Sequence, residues 1–240
     1  MDEKTEKFLK KFTDEIYGVL GARMRTLLLY GSQASGEAAK KHSDYNFLLV
    51  VDGLKFEDLK ALEKISFKLL KGNPPPLVFS TELFKSSTDV FPIEFLDMQE
   101  THRILTGEDP FHNMEIDLKN LRHECEFELK GKLLKLRQGY IASAGKAADV
   151  RNLLIGSISS FLVLLRNVVR LAGQKPPFRK LDALNALAPL VKIDTTPFEN
   201  IYKMKHGDKE ALKLNPEEVF AAYMKEIEKA VDFVDKFVVK

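Results

Sequence analysis

The order of apolar and polar positions gives the chain two textures. Up to about residue 115, short apolar runs alternate with helical stretches; beyond it only helical spacing remains. Residues 4–20 place Phe8, Leu9, Phe12, Ile16 and Leu20 at helical spacing, closed by Gly21. Residues 27–30 (LLLY) form an apolar run that stops at Gly31-Ser32, and residues 45–51 form a second that begins after Ser43-Asp44. Two buried strands flanking a small-residue loop are predicted. Residues 33–41 are small and polar and fit either a short helix start or an irregular loop. Helical period returns over 56–70 through Leu59, Leu62, Ile65, Phe67, Leu69 and Leu70. Gly72-Asn73 and the prolines 74–76 end that helix and lead extended chain into a third strand at 77–79. Residues 90–98, VFPIEFLDM, alternate as a further strand, with Phe91, Ile93 and Phe95 on one face and Glu94 on the other.

In the second half, Leu118, Leu121, Cys125, Leu129, Leu133, Leu136 and Tyr140 step by three or four along one long amphipathic helix. Val150, Leu153, Leu154, Ile158, Phe161, Leu164, Leu165 and Val168 mark a second, more buried helix that stops at Gly173 and Pro176-Pro177. A shorter helix is predicted over 180–187. The last begins at Asn215-Pro216-Glu217-Glu218, a cap, a proline at the first helical position and acids in the first turn. The expected organisation is a domain of strands and helices over 1–115 and a helical bundle over 116–240, with no internal repeat.

Composition narrows the function classes. Lys plus Arg and Asp plus Glu nearly cancel over 240 residues, to a formal +2, so no broad basic surface supports a nucleic-acid partner. Cys125 is the single cysteine, which excludes an internal disulfide and a multi-cysteine metal site and points to a reducing compartment. The first residues, MDEKTEKFLKK, carry charge where a signal peptide has its apolar core. The richest apolar run, residues 159–173, is cut by Arg166 and Arg170, so no membrane span is expected and the chain reads as cytoplasmic.

The candidate chemistry collects around residues 27–51. Gly31-Ser32 directly after a buried strand lets the backbone approach a ligand, and the Ser32 hydroxyl with successive N–H groups can hold a phosphate. Asp44 and Asn46, two apart on a strand, share a face. The competing readings are an ordinary strand-ending turn for Gly31-Ser32, a cap on a solvated loop for Asp44, and a solvent-facing strand residue for Glu94. His42 and Lys40-Lys41 flank the loop as solvated groups. His102, His112, His123 and His206 show no metal-ligand spacing, and Cys125 falls on the apolar stripe of its helix, where packing explains it.

A strand, Gly31-Ser32, a spacer and then Asp44-Tyr45-Asn46 on the next strand resemble the nucleotidyltransferase fold of the DNA polymerase beta superfamily. The resemblance implies an α/β (α+β) domain with a mixed sheet and flanking helices. It implies that two aspartates and a third carboxylate from a neighbouring strand hold magnesium against a nucleoside triphosphate whose phosphates sit on the Gly-Ser turn. Carried onto this chain, Gly31 and Ser32 are the nucleotide-binding residues. Asp44, Asn46 and Glu94 are the catalytic and metal-holding ones, with Asp97 as the fallback for Glu94. Asn46 stands where the family has its second aspartate, and Glu94 where it more often has aspartate. Residues 96–111, LDMQETHRILTGEDPF, resemble the segment after the third carboxylate in small antibiotic-modifying and antitoxin members.

With a helical domain following, the whole is similar to two-domain antibiotic nucleotidyltransferases, and to a fusion of the halves of toxin-antitoxin pairs of a minimal nucleotidyltransferase with a helical nuclease. The nuclease motif of the latter, an arginine four to six residues before a histidine, does not occur. The implied activity is transfer of a nucleoside monophosphate from a nucleoside triphosphate to a hydroxyl of a small molecule or protein, with magnesium as cofactor and the site in the cleft between the domains. The alternative is a catalytically degenerate nucleotide-binding or protein-interaction module. Asn46 favours it, because an amide brings no charge to the metal site. Monomer and homo-oligomer both remain open.

Overall fold

In the computed structural model, which describes residues 2–34 and 44–239, the chain divides by its internal contacts into two compact units, Met1–Ile116 and Asp117–Lys240. The first helix, α1 (Glu3–Leu20), starts where the Asp2 carboxylate accepts from the Thr5 N–H at 2.8 Å, and it buries Leu9, Phe12, Ile16 and Leu20. Strand β1 (Met24–Tyr30) then pairs antiparallel with β2 (Asn46–Val51), Leu28 opposite Leu48 and Tyr30 opposite Asn46. Helix α2 (Phe56–Leu69) crosses back to β3 (Leu77–Ser80), which lies parallel to β2. Two short helices, α3 (Thr81–Ser86) and α4 (Pro92–Glu100), precede β4 (His102–Gly107), antiparallel to β1. The result is a mixed sheet in the order β3-β2-β1-β4 with helices on both faces.

Both faces of the central strands are covered. Leu27, Leu29, Phe47, Leu49 and Val51 pack with the buried residues of α1 and α2. Leu28, Leu48 and Val50 pack with Phe84, Phe95, Met98 and Phe111. A strand buried on both sides reads as a continuous apolar run, as LLLY and NFLLVV do. Leu48 and Val50 are therefore buried as fully as Phe47 and Leu49, and within β2 only Asn46, its first residue, is partly exposed.

The strand expected at 90–98 is a helix. Pro92 occupies the first helical position of α4, where its missing N–H costs nothing, and Ile93, Phe95 and Met98 are its buried residues. Glu94 consequently stands on an exposed face of a helix rather than on a strand. The edge strand comes later, at β4, where no residue is fully buried and the apolar signal is weak.

Arg23 and Asp58 fasten the start of α2 to the approach of β1. The guanidinium donates to both carboxylate oxygens at 2.7 and 2.6 Å, and the Lys55 N–H adds a third bond at 2.9 Å. The Arg23 partner, opposed by burial and reinforced by the Lys55 N–H, brings the Asp58 carboxyl down to about 2.

The described residues of the second unit form helices and their connections, with no strand. Helix α5 (Leu118–Ser143) is capped by Asp117, whose carboxylate accepts from the Lys119 N–H at 2.8 Å. Helix α6 (Ala147–Leu171) follows and is the central element, packing against α5 and against α7 (Lys180–Val191), α8 (Thr196–Lys205) and α9 (Pro216–Lys236). By length and composition α6 as a whole is long and apolar enough to cross a membrane, which residues 159–173 alone did not suggest. More than half of its most apolar stretch is buried inside this bundle. Helix α8 has no counterpart in the sequence reading, although Thr196-Pro197 is a start signal of the same kind as Asn215-Pro216. The loop between α7 and α8 is held by the buried Glu226, which accepts from the Asp194 N–H at 2.9 Å and from Lys229 Nζ at 2.6 Å.

Two outcomes follow from this packing. A folded carboxyl held below its unfolded value contributes stability that is full above the ordinary aspartate range and is lost as pH falls from there through about 2. Because the Arg23 side chain is 39% exposed, solvent screening limits this pair. Asp58→Asn should lower unfolding stability at neutral pH by about 1–2 kcal/mol, and in urea titrations the gap from the natural protein should close as pH approaches the acid limit. Gly107 has φ of 86°, and a Cβ there would run into the Arg25 carbonyl oxygen across the β1/β4 pairing. Gly107→Ala should cost at least about 2 kcal/mol and lower the thermal midpoint by several degrees. Gly18→Ala, on an open face of α1 with nothing within 4 Å, should be neutral or slightly stabilising.

Candidate functional site

Tyr30 ends β1, and the chain turns at Gly31 with φ of 78°, in the left-handed region that glycine enters without cost. Residues Gly31–Gln33 form one tight turn closed by Ala34 N–H donating to the Gly31 carbonyl at 2.9 Å. The Gly31 N–H is itself fixed, donating to the Thr101 carbonyl at 3.2 Å beside the start of β4. On the other side, a Cβ at Gly31 would lie 3.5 Å from the Asn46 amide nitrogen, so Asn46 reaches the turn. Residues 35–43, which include Lys40, Lys41, His42 and most of the polar spacer, lie outside the described residues.

Asp44 does not stand on the strand, because β2 begins at Asn46; its side chain is exposed. Between them Tyr45 is anchored. Its N–H donates to Asn73 Oδ1 at 3.0 Å, its hydroxyl lies 3.2 Å from Thr5 Oγ1, and its ring meets Phe8 with centroids 5.0 Å apart. Tyr45 and Phe47 thus turn toward α1, and alternation turns Asn46 to the opposite face of the sheet.

On that face a row runs across three strands. Asn46 is level with Tyr30, and Tyr30 is level with His102 of β4. Residues directly paired on antiparallel strands share a face. The Tyr30 hydroxyl is pushed up, first by burial and then by the negative charge of Glu94, so Glu94 of α4 bears on the same end of the row. His102 is mostly buried; Nδ1 lies 2.8 Å from the Met98 carbonyl, which fixes it as the donor, and Nε2 lies 3.3 Å from Asp109. Tyr30 and His102 escaped the sequence reading. Tyr30 could have been found as the residue preceding the Gly-Ser turn, whereas His102 needed the register of β4.

The charge of this site comes from outside the sheet. None of the four strands, MRTLLLY, NFLLVV, LVFS and HRILTG, carries Asp or Glu. Among the described residues no group of three or more His, Cys, Asp or Glu is placed to share a metal ion. Beside the Gly31 turn stand one amide, Asn46, and one carboxylate, Glu94, with Asp44 on the exposed approach. Asp97 lies one turn further along α4. Cys125 is fully buried in α5, as its place on the apolar stripe requires.

The mixed four-stranded sheet with flanking helices, followed by a helical region, is an α/β nucleotidyltransferase-like fold. Ten chains of solved structure match it. One of them is spectinomycin adenyltransferase AAD(9) from Enterococcus faecialis, solved with ATP and spectinomycin. It aligns with a TM-score of 0.56 and 14% sequence identity, covering 93% of this chain and 99% of that one. No family model and no curated protein matches the sequence.

The Tyr30–Glu94 relation can be measured directly. In protein labelled at the tyrosine Cζ carbons, Glu94→Gln should lower the Tyr30 titration midpoint, since a nearby negative charge opposes the phenolate, while burial keeps it above the ordinary tyrosine value. An unmoved midpoint would place Glu94 away from Tyr30.

Proposed function

We propose that the chain is a nucleotidyltransferase that binds a nucleoside triphosphate at Gly31-Ser32 and transfers its nucleoside monophosphate to a hydroxyl of a small molecule, with a weakened metal site. The observation that carries this reading is the left-handed Gly31 turn seated between the Thr101 carbonyl and Asn46 on the fold shared with spectinomycin adenyltransferase AAD(9). The acceptor oxygen attacks the α-phosphorus, the bond from that phosphorus to the β-phosphate oxygen breaks, and pyrophosphate leaves with the hydroxyl proton lost. The Ser32 hydroxyl and the turn backbone, apart from the Gly31 and Ala34 N–H groups that already donate to carbonyls, would hold phosphate oxygens.

By chemistry, Asp44, Asn46 and Glu94 would be the residues to hold a magnesium ion, as a carboxylate, a neutral amide oxygen and a second carboxylate from α4. Such an ion would supply positive charge against the phosphates during transfer. A neutral Asn46 makes a second adjacent cation hard to hold, since two divalent ions repel without the charge to balance them.

The absence of any carboxylate from the four strands favours a second reading, a nucleotide-binding or protein-interaction module that has lost transfer chemistry. Titration of nucleoside triphosphates in the presence and absence of magnesium separates the two. Under the transferase reading Asp44→Ala weakens magnesium-dependent binding about tenfold or more, and Asn46→Asp tightens it by roughly three- to tenfold, the worth of one added charge in a partly desolvated cleft. Product formation from labelled triphosphate should rise in the same variant. If none of the three proteins binds nucleotide, the transferase reading fails and the interaction module stands.

A further inference from the structure

Of the three side chains in the row across β2, β1 and β4, two already have a place. His102 has Nδ1 against the Met98 carbonyl and Nε2 facing Asp109, and Asn46 reaches the Gly31 turn. Tyr30, between them, is half-buried, its ring packed against the core under α3 and α4. Among the described residues its hydroxyl has no hydrogen-bond partner; the neighbour that bears on it is the charge of Glu94. The hydroxyls of Tyr45, Tyr140 and Tyr223 meet Thr5, Glu217 and Ser157 at 3.2, 3.3 and 3.4 Å. Tyr17 and Tyr202 stand in solvent, 55% and 36% exposed. A tyrosine hydroxyl withdrawn from water normally finds a partner. Tyr30 is withdrawn without one, at the mouth of the candidate site.

We propose that the Tyr30 hydroxyl donates a hydrogen bond to a phosphate oxygen of the bound nucleoside triphosphate. This rests on the reading of Gly31-Ser32 as the triphosphate site. Position selects the phosphates over the nucleoside. Tyr30 is the residue that enters the Gly31 turn, its lateral neighbour is Asn46, and Glu94 bears on its hydroxyl, so it stands among the groups that the transferase reading sets beside the phosphates. A phenol has one O–H to give and an ionised phosphate oxygen only accepts, so the bond runs from Tyr30 to the ligand. Pairing of β1 on both sides and packing of the ring fix the donor before any ligand arrives, so little ordering opposes the contact. Tyr45 supplies the control. It too is half-buried and adjoins Asn46 in the chain, but it faces α1 and its hydroxyl is on Thr5.

Calorimetric titration of the full chain with ATP and with inorganic tripolyphosphate, each with magnesium, tests it. Tyr30→Phe removes one oxygen and keeps the ring. It should weaken both ligands by about tenfold, the worth of one hydrogen bond to a charged acceptor, while Tyr45→Phe leaves both unchanged. In protein labelled at the tyrosine Cζ carbons, the Tyr30 signal should move on addition of either ligand and the Tyr45 signal should stay. If the natural protein binds ATP and Tyr30→Phe binds it equally well, or the Tyr30 signal is unmoved, the contact is overturned and the nucleotide reading stands. A loss confined to ATP, whether tripolyphosphate binds both proteins equally or neither, moves the contact to the nucleoside and overturns the phosphate assignment. An equal loss in Tyr45→Phe shows a general effect of the missing oxygen and also overturns it. If the natural protein binds no ATP, the nucleotide reading fails and takes this contact with it.

Discussion

The antiparallel register of β1 and β2 decides where every candidate group of the first unit falls. With Leu28 opposite Leu48 and Tyr30 opposite Asn46, the odd residues of β2 enter the core under α1 and α2 while the even ones enter the core under α3 and α4. A slip of one residue would exchange the two sets and place Asn46 under α1, away from Tyr30, His102 and Glu94. Two constraints prevent the slip. Both faces are fully packed, so neither set can be traded without burying Asn46 or exposing Phe47. Tyr45, at the mouth of the strand, is also pinned through its N–H to Asn73 and through its ring to Phe8. The Gly31 turn is then fixed from outside by the Thr101 carbonyl, which ties the end of β1 to the start of β4.

The long periodic helices and the first three strands were legible in the sequence because their signals are local. The apolar spacing of α5 and α6, the Asn215-Pro216 start of α9 and the proline stop after α2 each say the same thing as the packing. The segment 90–98 misled for an equally physical reason. Ile93 and Phe95 recur at period two, but Phe95 and Met98 are also one turn apart on a short helix and enter the same core, and nine residues cannot separate the periods. Only Pro92 distinguished them, as a helix start rather than a strand interruption. At the site, Gly31, Ser32, Asp44 and Asn46 could be named from spacing alone. The grouping of Asn46 with Tyr30 and His102 could not, since it depends on pairing between residues far apart in the chain.

The correction at Glu94 changes the character of the site. A carboxylate on a central strand is held by the sheet's hydrogen bonds on both sides, and its position is set before any ligand arrives. Here Glu94 stands in the first turn of a nine-residue helix, and Asp44 sits two residues before its strand, exposed. The rigid part of the row, Asn46, Tyr30 and His102, carries no carboxylate, while the charged part rests on a helix terminus and a loop.

That separation bears on what the fold can do. Precise transfer chemistry gains most from groups fixed in place, because each degree of freedom lost on reaching the transition state raises the barrier. Groups on a short helix and a loop spend part of the binding energy of a triphosphate on their own ordering. Under the proposed transferase reading, the Gly31 turn stays held by β1 and by the Thr101 carbonyl whatever Asp44 and Glu94 do, so any acceleration of transfer would depend on the ligand drawing Asp44 and Glu94 together.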